Sequence, residues 1–372
     1  MDIHINSIVR SLPDTVPFVS QFAMERERGK VFDLHLGANE SQFGISPNAV
    51  QAIRDFCPNV YTYGDPEGFD LRNKISEKHD LERNHVMLGS GVDELLGLVV
   101  RAFTNPGDKV VASHGAYPTF IYHVHGYGAE LCSVPYREDF YNDVEGLLSE
   151  ASSCGAKILY LVNPDNPSGT YWKAEVIKRL IDKLSSTSCI LLLDEAYIDF
   201  VDDDKAVNEV NIHPQVIHLR TFSKAYGMAG LRLGYALSDE GTLQNLRKIN
   251  LHFGINSLAQ VAALAALDDQ SFVDDVVRKT REGRQMISSL AKEYGFDTPP
   301  SMTNFVALHM GSKEKAAAMT AELLERGVFV RQAQKEPHNT CVRVTIGRPE
   351  QMEKFSAVFS DICKNSLKMF TK

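Results

Sequence analysis

Cys189-Ile190-Leu191-Leu192-Leu193-Asp194-Glu195 is the stretch on which the reading of this 372-residue chain turns. An unbroken aliphatic run with no polar alternation suits a strand covered on both faces, and here it ends abruptly in two carboxylates. Similar short runs occur at 86–89, 109–113, 157–163, 216–220 and 234–238. Between them lie segments with helical spacing, such as 92–104, stopped by Pro106-Gly107, and 174–184. Alternating strand and helix predicts an α/β fold with a mostly parallel sheet, whose ligands gather at the carboxyl ends of the strands.

Working outward, the first 30 residues carry no strong period and hold Pro13, Pro17 and the charged run Glu25-Arg26-Glu27-Arg28. They read as an arm, with the domain boundaries placed at 1–35, 36–257 and 258–372. Beyond 257 the spacing predicts helices over 258–267 and 272–294, the second opened by Ser271 with Asp274 three residues on. Strands follow over 303–309, 328–331 and 341–346, with a helix over 313–326 closed by Gly327. A last helix starts at Pro349 and presents Met352, Phe355, Val358, Phe359 and Ile362 on one face. This C-terminal part reads as a smaller α+β domain.

Composition narrows the function classes. Apolar residues make up 44% and charged residues 23%, which excludes a disordered or fibrous chain. The formal charge of −9 leaves no basic excess for a phosphate backbone, so no nucleic-acid partner is expected. The six cysteines lie at least 22 residues apart and form no C-x-x-C pair. His123 and His125 have no third ligand cluster, so no metal is expected. Met1-Asp2-Ile3-His4-Ile5-Asn6 lacks the character of a signal peptide, and no apolar run reaches the roughly 18 residues of a membrane span. The expectation is a reducing, cytoplasmic location without a membrane partner.

Three features could carry chemistry. A carboxylate at a strand end suits a nucleotide-bound magnesium ion, but the Gly29-Lys30 pair is followed by Val31 and opens no phosphate loop. Leu88-Gly89-Ser90-Gly91-Val92-Asp93-Glu94 follows a strand and opens a helix. Glu94 occupies the third glycine position of a dinucleotide fingerprint, leaving a Gly-containing turn whose free N–H groups favour a phosphate. Leu219-Arg220-Thr221-Phe222-Ser223-Lys224 then places a lysine after a strand among hydroxyl and small residues, with Arg232 eight positions on. Desolvation there would free the amine for a Schiff base, and Arg232 offers a planar fork to phosphate. Taken singly, each has a commonplace structural explanation. Together they match the needs of pyridoxal phosphate (PLP): a lysine for the aldehyde, a cradle for the phosphate and a carboxylate, Asp194, for the ring nitrogen.

Six stretches carry a family resemblance: Leu36-Gly37-Ala38-Asn39-Glu40; Tyr63-Gly64-Asp65; Gly91-Val92-Asp93-Glu94-Leu95; Asn163-Pro164-Asp165-Asn166-Pro167-Ser168-Gly169-Thr170; Asp194-Glu195-Ala196-Tyr197; and Ser223-Lys224 through Arg232. In these the chain resembles fold-type-I PLP enzymes, most closely the histidinol-phosphate aminotransferases. The resemblance implies a large domain built on a mostly parallel seven-stranded sheet and a small C-terminal domain. It implies that Lys224 forms the Schiff base and moves the proton, that Asp194 pairs with the ring nitrogen, and that Tyr197 and Asn166 bond the ring hydroxylate. Tyr117 would stack on the ring, while Gly91, Val92, Asp93, Ser223 and Arg232 would hold the phosphate. Tyr63 would reach the neighbouring subunit's cofactor, so a homodimer is implied. Arg343 would bind the substrate α-carboxylate and Arg331 the phosphate of histidinol phosphate, with 2-oxoglutarate as acceptor. Phe18 and Phe253 stand where many members carry tyrosines that help hold that phosphate, which makes the pocket more apolar. An aromatic amino acid is therefore an alternative donor. A PLP-dependent decarboxylase and a PLP-binding regulator without turnover are the remaining readings.

Overall fold

The computed structural model describes residues 3–14, 20–202 and 210–365. Its strands run in chain order as β1 (Leu34–His35), β2 (Val86–Gly89), β3 (Lys109–Ser113), β4 (Glu130–Val134), β5 (Ile158–Val162), β6 (Ile190–Asp194), β7 (Val216–Thr221) and β8 (Gly234–Leu237). The small domain adds β9 (Phe305–His309), β10 (Val328–Phe329), β11 (Arg331–Gln332) and β12 (Cys341–Thr345). Seven strands form the central sheet in the order β2-β8-β7-β6-β5-β3-β4, with β8 running against the rest. The mostly parallel seven-stranded α/β expectation therefore holds.

The continuous aliphatic runs serve two cores at once. In β6, Ile190 and Leu192 enter one core while Leu191 and Leu193 enter another on the opposite face. The same alternation divides Ile158, Tyr160 and Val162 from Leu159 and Leu161 in β5. Burial of each such side chain contributes about 1.5–3 kcal/mol, which fixes register as well as stability, because a one-residue slip exchanges the two faces. Parallel pairing of β5, β6 and β7 then brings their carboxyl ends to one rim.

Several expectations are corrected. β4 escaped the sequence reading because it is an edge strand whose Glu130, Leu131, Cys132, Ser133 and Val134 mix polar and apolar residues. The strand expected over 328–331 is two strands. Val328 and Phe329 pair in parallel with Leu34 and His35, whereas Arg331 and Gln332 pair with Arg343 and Val342. Leu34 and Leu36 also share the small-domain core with Val306, Val344 and Phe355, so an arm boundary at 35 cuts through that unit. The long helix runs Gln270–Glu293, and Ser271 lies inside it rather than capping it; the Ser271 hydroxyl donates to Asp269 instead. The arm holds two helices, Ser7–Ser11 and Gln21–Arg28, capped by Asn6 and Ser20 and too short to show a period. No helix among the described residues is long and apolar enough to cross a membrane.

Candidate active site

The rim opens into a cavity of about 1640 Å³, lined by Asn39, Val92, Asp93, Tyr117, Asn166, Asp194, Tyr197, Ser223, Lys224, Arg232, Arg331 and Arg343, among others. Twelve positions of one strand-end constellation thus meet in one place.

Asp194 is the last residue of β6 and only 3% exposed. Its carboxylate accepts a hydrogen bond from the Tyr160 hydroxyl at 2.7 Å and from the Ala196 N–H at 3.1 Å. Burial pushes its pKa up to about 6 even though both donors pull the other way. Such a group is poised to stay ionised once a cationic partner arrives. Its neighbour Glu195 points to a different network. Burial would raise that carboxyl, but Arg220 at 2.8 Å and His218 at 3.2 Å outweigh it and hold it at about 2.

Tyr160 was not singled out in the sequence, where it reads as one more core residue of β5. Its ring stacks on Phe120 at 4.0 Å between centroids while its hydroxyl fixes Asp194. Tyr160→Phe removes that donor, so the Asp194 pKa rises further. Cofactor affinity near pH 7 then falls by about 1–2 kcal/mol, roughly 5–30-fold, and recovers at higher pH. Fluorescence titration of the cofactor at several pH values reads this; an unchanged pH profile contradicts it.

The turn expected to cradle a phosphate is built from backbone. Gly91 has φ +80° and precedes the helix Val92–Phe103, whose first turn receives no capping hydrogen bond from the Gly91 position. That left-handed φ favours glycine, and a Cβ on Gly91 would stand 2.6 Å from the Arg232 guanidinium and push that side chain aside. Gly234 on the adjoining β8 is similarly confined, with a Cβ falling 3.0 Å from the Val92 nitrogen. Arg232 itself adopts a left-handed φ of +54° and is held by Asp93 at 3.2 Å and the Ala229 carbonyl at 3.1 Å. The Tyr117 hydroxyl donates to the other Asp93 oxygen at 3.0 Å, and burial raises the phenol pKa. Ser223 is buried beside Thr221, whose hydroxyl donates to it at 2.9 Å.

Asn39 is the second residue that sequence reasoning quoted without assigning a role. It is 2% exposed at φ +54°, a conformation asparagine tolerates better than most residues. Its carbonyl accepts from the Lys224 ammonium at 3.1 Å and from Asn304 at 3.0 Å, its amide donates to the Tyr197 hydroxyl at 2.9 Å, and its N–H reaches Thr345 at 3.1 Å. One side chain and its backbone thus tie the lysine and the tyrosine to the small domain. The Lys224 nitrogen lies 5.6 Å from the centre of the Tyr197 ring.

Asn166 is held by the turn 163–170, which folds around the buried Asp165. That carboxylate accepts from the Ser168 hydroxyl at 2.6 Å, Tyr136 at 3.1 Å and Asn142 at 3.1 Å. The turn aims the Asn166 carbonyl at Arg343, which donates to it at 2.6 Å and to the Gly37 carbonyl at 3.2 Å. Burial lowers the Arg343 guanidinium to about 10, and its Nε is buried without a hydrogen-bond partner. Arg331 stands directly beside it, in register across β11 and β12. Two guanidinium groups lining one cavity favour an anionic ligand.

Other expected residues lie elsewhere. Tyr63 and Phe253 are 83% and 54% exposed, meet in a tilted ring contact with centroids 4.7 Å apart and do not line this chain's cavity. Phe18 lies outside the described residues. His123 stacks near Tyr127 at 6.2 Å, with burial lowering its pKa, while His125 lines the cavity, so the two share no site.

A buried carboxylate, a lysine, a glycine cradle under an arginine and an unsatisfied guanidinium nitrogen fit PLP. Residues 33–359 match the family model of class I and II aminotransferases, and the chain is a PLP-dependent aminotransferase of that class. It is 34% identical over 347 residues to histidinol-phosphate aminotransferase 2 of Hydrogenovibrio crunogenus, covering 92% of each chain. It is 32% identical to the corresponding enzyme of Carboxydothermus hydrogenoformans, covering 94% of this chain and 97% of that one. The solved structure of histidinol-phosphate aminotransferase from Sinorhizobium meliloti with pyridoxal-5′-phosphate superposes with a TM-score of 0.93 at 37% identity, over 98% of this chain and 99% of that one. Within its class, the chain belongs to the histidinol-phosphate aminotransferase family.

Proposed function

We propose that the enzyme takes the amino group of histidinol phosphate and delivers it to 2-oxoglutarate, working as a homodimer in the cytoplasm. The observation that carries this reading is the adjacent pair Arg331 and Arg343. Both substrates of such an exchange are anionic. A phosphate monoester and a dicarboxylate can each engage two guanidinium forks in turn. The names of the relatives support the same donor.

When bound, PLP supplies an aldehyde that captures the amino group and a ring that accepts the electron pair left on the α-carbon. Lys224 would take up and return the proton of the substrate α-carbon on its Nζ. The Asn39 carbonyl, 3.1 Å away, keeps that amine aimed. Asp194 would pair its negative charge with the ring nitrogen, its carboxylate fixed by the Tyr160 hydroxyl. Asn166 and Tyr197 would orient the ring hydroxyl, and the Gly91 turn with Ser223 and Arg232 would hold the phosphate. Tyr63 and Phe253, exposed together with Tyr61 and Leu251, form an apolar patch that a second copy would cover, bringing both rings toward its cavity. Six cysteines free of disulfides suit a reducing compartment.

Arg331→Gln separates donor recognition from chemistry. Loss of a charged hydrogen bond of about 1.5–3 kcal/mol raises KM for histidinol phosphate by roughly 10–150-fold while leaving an aromatic donor nearly unaffected. An equal effect on both donors contradicts the assignment. The apolar lining contributed by Leu12, Ile121 and Leu131 favours the aromatic amino acid as second reading, and the same comparison tests it.

A further inference from the structure

Cys132 and Cys154 stand 22 positions apart, too far for any local metal-binding motif. The fold brings them together. Cys132 sits in the middle of the edge strand β4, opposite Val111 of β3. Leu131 and Ser133 on either side of it line the active-site cavity, so alternation turns Cys132 to the other face of the sheet. Across that face lies the helix Val144–Cys154, which packs on β3 and β4 and carries Glu150 and Cys154 four residues apart on one side. Both cysteines pack against the core formed there by Val111, Leu147 and Leu159. The two sulfur atoms and one Glu150 oxygen all lie within 4.8 Å of one another.

We propose that Cys132, Glu150 and Cys154 bind a thiophilic divalent cation of the zinc type, with water as fourth ligand. Two sulfurs and a carboxylate oxygen form a donor set that Zn²⁺ accepts in tetrahedral geometry, and soft thiolates discriminate against Mg²⁺ and Ca²⁺. Helix positions four apart plus a third ligand from a neighbouring strand converge on one point without backbone rearrangement. One outer partner is in place: the Ser153 hydroxyl approaches Glu150 Oε2 at 3.5 Å. Cysteine binds such a cation as the thiolate, so ligation releases protons and affinity rises with pH. The bound ion would staple β4 to its helix directly behind the cavity wall. This site is separate from the transamination residues and would survive failure of the substrate assignment.

The test is titration of the reduced holoenzyme with Zn²⁺ and with Cd²⁺, read by calorimetry and by the ultraviolet thiolate-to-cadmium absorption. One cation per chain is expected, with proton release and the thiolate band. Cys132→Ser and Cys154→Ser should weaken binding by more than the roughly 10–100-fold that loss of an outer partner costs. Glu150→Gln weakens it while retaining the band, and Cys57→Ser changes nothing. Cys154→Ser should keep full aminotransferase activity, showing that it folds. Absence of stoichiometric binding to the reduced wild type, or undiminished binding by the Cys132→Ser/Cys154→Ser double variant, overturns the proposal. So does a Cys132–Cys154 disulfide in protein that takes up no cation after reduction.

Discussion

Replacing Lys224 by alanine should lower turnover by about three to four orders of magnitude, because the group proposed to move the proton is gone. The change should cost the fold little. Lys224 makes one described hydrogen bond, to the Asn39 carbonyl, and that oxygen keeps its second donor in Asn304. The absorption band of lysine-bound cofactor should vanish while the cofactor itself stays, held by the Gly91 turn, Ser223 and Arg232. A small primary amine added to the variant should restore part of the rate, since it can occupy the space and accept the same proton. Absorbance and single-turnover kinetics check both points. Survival of the band or of near-normal turnover removes Lys224 from the mechanism.

Asp194→Asn has the second largest effect, and it acts in opposite directions on activity and stability. With the cofactor bound, an amide cannot supply the anion that keeps the ring nitrogen protonated, so turnover should drop by at least about 100-fold. Without it, the same carboxylate is a liability. Its folded-state pKa of about 6 lies above its ordinary value of 3.8. The folded chain therefore binds the extra proton between about pH 4 and 6, and stability contributed below that window is lost as pH rises through it. By pH 7 the cost is on the order of 3 kcal/mol. Asn carries no charge to desolvate. The cofactor-free variant should consequently unfold at higher urea than cofactor-free wild type at pH 7, with the difference shrinking toward pH 4. Equal midpoints at both pH values contradict this account. On the proposed pairing with the ring nitrogen, cofactor binding would relieve this folding penalty.

What the sequence made legible follows from how local each signal is. The run Ile190–Asp194 announced both a doubly covered strand and its terminal acid, because burial on two faces leaves no polar residue to blur the pattern. Lys224 and Arg232 were readable because one turn supplies both. Residues whose role depends on distant partners were not. Tyr160 looks like core until Asp194 is seen 2.7 Å from its hydroxyl, and Asn39 acquires meaning only through Lys224, Tyr197 and Thr345. Pairing of Leu34 with Val328 joins opposite ends of the chain, so neither two-residue strand carries a pattern of its own. The position of Tyr63 beside Phe253 on the outer surface likewise has no trace in spacing.

The most direct measurement is the half-reaction. Histidinol phosphate, phenylalanine, tyrosine and glutamate are added separately to the purified PLP form, and conversion to the pyridoxamine form is followed by absorbance. The account predicts rapid conversion by histidinol phosphate, with glutamate active as the reverse-direction donor and the aromatic amino acids slower. Failure with histidinol phosphate alongside fast conversion by phenylalanine or tyrosine would contradict it, and would assign the cavity between Arg331 and Arg343 to an aromatic substrate instead.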